Sequence, residues 1–201
     1  LQALEKITTS NHWITLVLMF LFFGIVLLKA INPSRLKGSL YGFFNINFVE
    51  IESEENTSFF DVFQIVFFIF SVIVISLLVF NFKTYTLATD DVSFSSFLSV
   101  FVSLLSYFLL IKVLEYLFSQ VFLIKNKVRF FVVSKSNYLN AISFLLYIAI
   151  VLSEYANLKQ IYLYYFAAFL FFLRFVFHVV SNKNLVFKTL FYFILYICAF
   201  E

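Results

Sequence analysis

One cysteine, one proline and three glycines are spread over 201 residues. A single thiol excludes a disulfide framework within the chain and a thiolate metal cluster. Cys198 lies in an apolar run, where a lone cysteine acts as a small hydrophobe. Few helix breakers argue against discontinuous helices, which carriers usually build around glycine and proline. Charge is scarce as well. Only 12% of residues are charged, against about 25% in soluble domains, so the solvent implied is lipid. There is no His-Glu-x-x-His, no Gly-x-Gly-x-x-Gly and no serine set between glycines as a nucleophile elbow. No cofactor or metal is expected.

What fills the chain instead is apolar mass: 63% hydrophobic residues, 33 of them Phe, with a mean hydropathy of +1.01. Phenylalanine at this density reads as lipid-facing and inter-helix surface. The net charge of +3 implies no nucleic-acid partner, because the basic residues lie mostly between apolar runs, where membrane orientation accounts for them.

The fold expected is all-α, a polytopic bundle of about six transmembrane spans: 7–28, 62–82, 92–111 (extending toward 124), 136–153, 161–180 and 185–201. The first is too long for a signal peptide and has no small-x-small cleavage site after it. The last offers only 12 uncharged residues after Lys188; a crossing needs about 20, so the expectation is an incomplete span and a protein that extends beyond both ends. Asn32-Pro33 opens a short amphipathic helix, 33–45, expected to lie in the interface, with Asn as N-cap and Pro at the first helical position. The acidic run Glu50 to Glu55 reads as a solvated loop. Asp90 and Asp91 precede the third span as candidate caps.

That third span is expected to be the hub. Ser95, Ser99, Ser103 and Ser106 share one helical face and would let another helix approach closely, while Lys112, Glu115 and Ser119 fall on roughly the opposite face. Basic residues in the odd-numbered loops (Lys29, Arg35, Lys37; Lys125, Lys127, Arg129, Lys135; Lys183, Lys188) number nine, against three (Lys6, Lys83, Lys159) on the other side. The loops near 29–58, 125–135 and 181–188 are therefore expected in the cytoplasm and the N-terminus in the periplasm.

Charges inside spans are costly and mark functional candidates. Lys112 and Glu115, three residues apart, can pair locally. Arg174 lies roughly 13 Å from the Lys183 end of its helix, at 1.5 Å per residue. His178 is one turn below it on the same face. Glu115 and Glu201 are the acidic partners expected for Arg174.

Trp13 opening the first span, Asn32-Pro33-Ser34-Arg35-Leu36 after it, Phe43-Phe44-Asn45 ahead of the acidic run, and the closing Ile194-Leu195-Tyr196-Ile197-Cys198-Ala199-Phe200-Glu201 together resemble a domain-of-unknown-function family of multi-span inner-membrane proteins from Bacteroidota. The short motifs carry the resemblance and the middle spans match in pattern. Where that family tends to have Gly-Pro in its fourth span, this chain has neither between Ser136 and Ser153. The resemblance implies an all-helical inner-membrane fold, draws attention to Glu201, and brings no activity.

The leading expectation is a non-enzymatic subunit of an inner-membrane assembly, with the lipid bilayer and other membrane proteins as partners. Secretion or gliding machinery is a possible home by analogy alone. The rivals are a small transporter or lipid-handling protein using Glu115, Arg174 and Glu201, and an enzyme acting on a lipid-linked substrate at the basic third loop.

Overall fold

The computed structural model describes residues 12–41, 62–87, 93–121, 125–156 and 158–181, with side chains except those of 41, 87, 116–134 and 177–181. All the elements in these residues are helices: α1 His12–Ile31, α2 Pro33–Tyr41, α3 Val62–Leu87, α4 Phe94–Val121, α5 Lys125–Tyr155 and α6 Gln160–Ser181. The acidic run Glu50 to Glu55, the sixth span and Glu201 lie outside the described residues.

Local chemistry sets the helix boundaries. The Arg35 backbone N–H donates to Asn32 Oδ1 at 3.0 Å, so Asn32 caps α2, and Pro33 takes the first position, where its missing N–H costs nothing. The α4 cap is Ser93, whose Oγ accepts from the Ser96 N–H at 3.3 Å; Asp90 and Asp91, expected in that role, lie outside the described residues. An N-cap oxygen reaches the N–H two or three residues on, and Ser93 has that spacing from Ser96.

Among the described residues, four helices are long and apolar enough to cross a membrane: His12–Ile31, Val62–Thr86, Phe94–Glu115 and Lys135–Tyr155, with a shorter apolar stretch at Gln160–Val176. Their exterior fits lipid. On α1, Leu16, Met19, Phe20, Phe22 and Phe23 are exposed, and on α6 so are Tyr165, Phe169 and Phe172. Contiguous apolar faces of this extent are not tolerated on a soluble monomer. The chain is a helical membrane protein.

The helices alternate in direction. At one end Trp13, opening α1, packs edge-on against Phe80 late in α3 (5.4 Å between centroids) and at a tilt against Phe97 early in α4 (5.2 Å). Tyr155 at the close of α5 reaches Thr15 Oγ1 there at 3.3 Å. At the other end the Arg35 guanidinium lies over the Phe63 ring at 5.1 Å, tying α2 to the start of α3. We refer to these as the Trp13 end and the Arg35 end.

The centre of the bundle is α3, which packs against α1, α4 and α5, while α5 packs against α2, α3, α4 and α6. Phe67, Val74 and Leu77 of α3 are fully enclosed. Two interhelical hydrogen bonds help hold this core: Ser71 Oγ donates to Asn140 Oδ1 of α5 at 3.2 Å, and Tyr147 Oη donates to the Leu18 carbonyl of α1 at 3.3 Å. Lipid tails are as apolar as leucine, so such bonds and close packing, not water exclusion, hold membrane helices together.

Two expectations are corrected. The hub is the second span, not the third: 56% of the span in α3 is buried, against 6% of that in α4. Apolarity is similar in the two, so hydropathy does not distinguish protein-facing from lipid-facing helices. Second, Lys125 to Lys135 is not a loop but the beginning of the 31-residue α5. The run contains no Gly or Pro, and Lys, Arg, Phe and Val can all continue a helix. The short helix expected after Asn32 is α2, Pro33–Tyr41. It packs against α1 and α5, with Leu36 and Ser39 buried.

Candidate functional site

Charged side chains from two helices meet near the Arg35 end. Glu115 lies late in α4 and Lys135 early in α5, so the antiparallel helices bring the two residues to the same level. Glu115 Oε1 is 3.5 Å from Lys135 Nζ, and Oε2 is 3.6 Å from Lys112 Nζ, one turn earlier on α4. The Lys112 ammonium also donates to Ser136 Oγ on α5 at 2.8 Å. The carboxylate is only 4% exposed and Lys135 12%, whereas 41% of the Lys112 side chain is open.

The arrangement follows from helix geometry. A three-residue step places Lys112 and Glu115 on one face of α4. Without a break between Lys125 and Tyr155, α5 continues through Lys135 and Ser136 and presents both to that face. A buried carboxylate needs compensation by charge and hydrogen bonds. Here two ammonium groups supply it, which leaves the triad with one positive charge. The site faces outward through Lys112, beside exposed Val113 and Leu114.

The sequence candidates fall in different places. Lys112 and Glu115 come together as the local pair. Lys135, assigned to a loop by sequence reasoning, is the member that was missed. The unbroken helical sequence from Lys125 and the polar Ser134 to Asn137 at the span boundary were the signals for it. Arg174 is half-buried on α6 and is engaged by a partner. Of the two acids expected for it, Glu115 is held by two lysines and Glu201 lies outside the described residues. His178 belongs to α6, but its side chain is not among those described. Ser95, Ser99, Ser103 and Ser106 are exposed. Ser99 Oγ donates to the Ser95 carbonyl at 3.1 Å and Ser103 Oγ to the Ser99 carbonyl at 2.9 Å, so both hydroxyls are satisfied within α4.

Among the described residues no three His, Cys, Asp or Glu side chains gather in a way that could hold a metal ion.

No curated protein matches the chain, and no solved structure does. A family model described as a domain of unknown function (DUF4271) matches residues 14–201, nearly the whole length, and the chain belongs to that family.

Proposed function

We propose that this protein is a non-enzymatic subunit of a bacterial inner-membrane assembly, in which α4 is the helix offered to partner spans. The observation that carries the reading is the exposure of Ser95, Ser99, Ser103 and Ser106 along a span of which only 6% is buried. In lipid a row of small side chains gives nothing to a solitary helix, yet it lets the backbone of a neighbour come close. A secretion or gliding complex of Bacteroidota is one setting for such a subunit. On the same reading the Arg35 end faces the cytoplasm, which agrees with the excess of Lys and Arg in the odd-numbered connections. Arg174 and Glu201 serve as ties between helices.

The test is extraction from native membranes in mild detergent, comparing the unaltered chain with a Ser99→Leu, Ser103→Leu double variant. The expected result is co-purification of other membrane proteins that the double variant loses while its helical content and yield persist. A monodisperse monomer from the unaltered chain would overturn the reading.

A second reading is favoured by one observation, the burial of Glu115 between lysines of two helices. It is a small transporter or lipid-handling protein in which the junction opens and closes. It predicts that reconstituted vesicles exchange labelled phospholipid between leaflets, and that Glu115→Gln abolishes the exchange. Absence of exchange by the unaltered chain would remove the lipid-handling form of this reading.

A further inference from the structure

The Lys112–Ser136 pair has more hydrogen-bonding capacity than the described residues use. Ser136 accepts from Lys112, but a serine hydroxyl also donates, and its own O–H donates to no group in the described structure. The Lys112 ammonium has three donors, with Ser136 and the Glu115 carboxylate as its partners. Both groups stand at the seam of α4 and α5, and 41% of the Lys112 side chain is accessible.

We infer that Lys112 and Ser136 form a binding site for the phosphate of a lipid headgroup, held in the seam between α4 and α5 at the Arg35 end. Depth supports this. Lys112 stands 18 residues along α4 from Phe94, roughly 27 Å at 1.5 Å per residue and close to the ~30 Å depth of a hydrocarbon core, so the pair stands near the headgroups. Exposed Leu109, Leu110, Val113 and Leu114 flank Lys112 on α4, so the open part of its side chain lies beside a surface that acyl chains cover. A headgroup phosphate whose tails lie on that surface brings its oxygens to the two donors.

Charge agrees in sign. Glu115 opposes an anion, but Lys135 draws on its other oxygen at 3.5 Å, and the three groups sum to one positive charge. Basic sites between transmembrane helices at this level take acidic headgroups, and each lysine near such a surface contributes about 1 kcal/mol. The inference depends on the membrane location of the bundle and not on the subunit reading.

The experiment uses the full chain in nanodiscs of phosphatidylcholine with or without phosphatidylglycerol, counting retained lipids by native mass spectrometry. One tightly retained phosphatidylglycerol is expected. Lys112→Gln should lower its retention roughly fivefold, the weight of one lysine at an acidic surface, and Ser136→Ala should lower it by less. Lys112→Arg should keep it, which also shows that the fold survives change at this position. Lys83→Gln, at the Trp13 end, should have no effect. Equal retention by Lys112→Gln, or an equal loss in Lys83→Gln, would overturn the site. Inorganic phosphate at millimolar concentration, tested in pure phosphatidylcholine, should neither bind nor displace lipid. Binding there would overturn the lipid as the source of the phosphate.

Discussion

Helices α3 and α4 are close in length, 26 and 28 residues, and both are rich in Phe, Val, Leu and Ser. They nevertheless occupy opposite situations. In α3 the serines at 71 and 76 are fully buried; Ser71 bonds to Asn140 across a helix interface, and Ser76 donates to the Val72 carbonyl at 2.7 Å. In α4 the serines at 95, 99, 103 and 106 are exposed. The same residue type therefore serves an internal interface in one helix and lies on an outer surface in the other. In water, such a contrast would be announced by polarity. In lipid, both faces of a span are apolar, and position in the bundle is decided by which side chains interlock.

Core truncation should separate the two helices most. Phe67→Ala in α3 removes a ring with no exposed surface and should cost about 3–5 kcal/mol. Leu110→Ala in α4, where the side chain is 63% exposed, should change stability by less than about 0.5 kcal/mol. Reversible unfolding in mixed micelles measures both. Comparable losses would erase the distinction between a central and a peripheral helix.

The junction between α4 and α5 should come next. Glu115→Gln leaves Lys112 and Lys135 facing each other without the carboxylate. Removing one partner of a fully buried ion pair costs about 3–5 kcal/mol, and the openness of Lys112 brings the expected loss down to about 2 kcal/mol. Adding Lys135→Met should recover part of it, since the repulsion and one buried charge then go together. A double variant less stable than Glu115→Gln by the full cost of a second lesion would contradict the pairing.

Smaller effects test the ties of α3 and α5. Ser71→Ala should cost about 0.6 kcal/mol, the average for an interhelical hydrogen bond in a membrane protein, and Tyr147→Phe a similar amount. The smallest effect is expected at Gly24 of α1. A methyl group there would meet only Phe70 Cδ2 at 3.9 Å, an ordinary contact, so Gly24→Ala should be neutral or slightly stabilising in the same unfolding assay.

Helix type and the caps at Asn32-Pro33 were legible because they depend on local chemistry: long charge-free runs, an acceptor at the right spacing, a proline where its ring is harmless. The Lys112–Glu115 pair was legible for the same reason, since three residues on a helix fix a distance. Lys135 was not. Its pairing with Glu115 depends on α5 beginning at Lys125 and returning antiparallel to α4, a tertiary fact that counting loop charges obscures. The hub was misplaced because the polar faces of α4 suggested neighbours on both sides, whereas only packing against α1, α4 and α5 reveals α3 as central. No span-level signal distinguishes Ser71 from Ser99, and Asn140, the partner of Ser71, is one of several polar residues in its run, with Asn137 and Ser143.

The account turns on whether α4 meets another helix in the native membrane. With Cys198 replaced, single cysteines at positions 71, 99 and 103 can be probed by a lipid-soluble thiol reagent, first in native membranes and then in the purified chain in micelles. Protection at 71 in both states, and at 99 and 103 only in the native membrane, is the predicted result. Equal labelling of 99 and 103 before and after purification would show that α4 faces lipid alone, and would contradict the account.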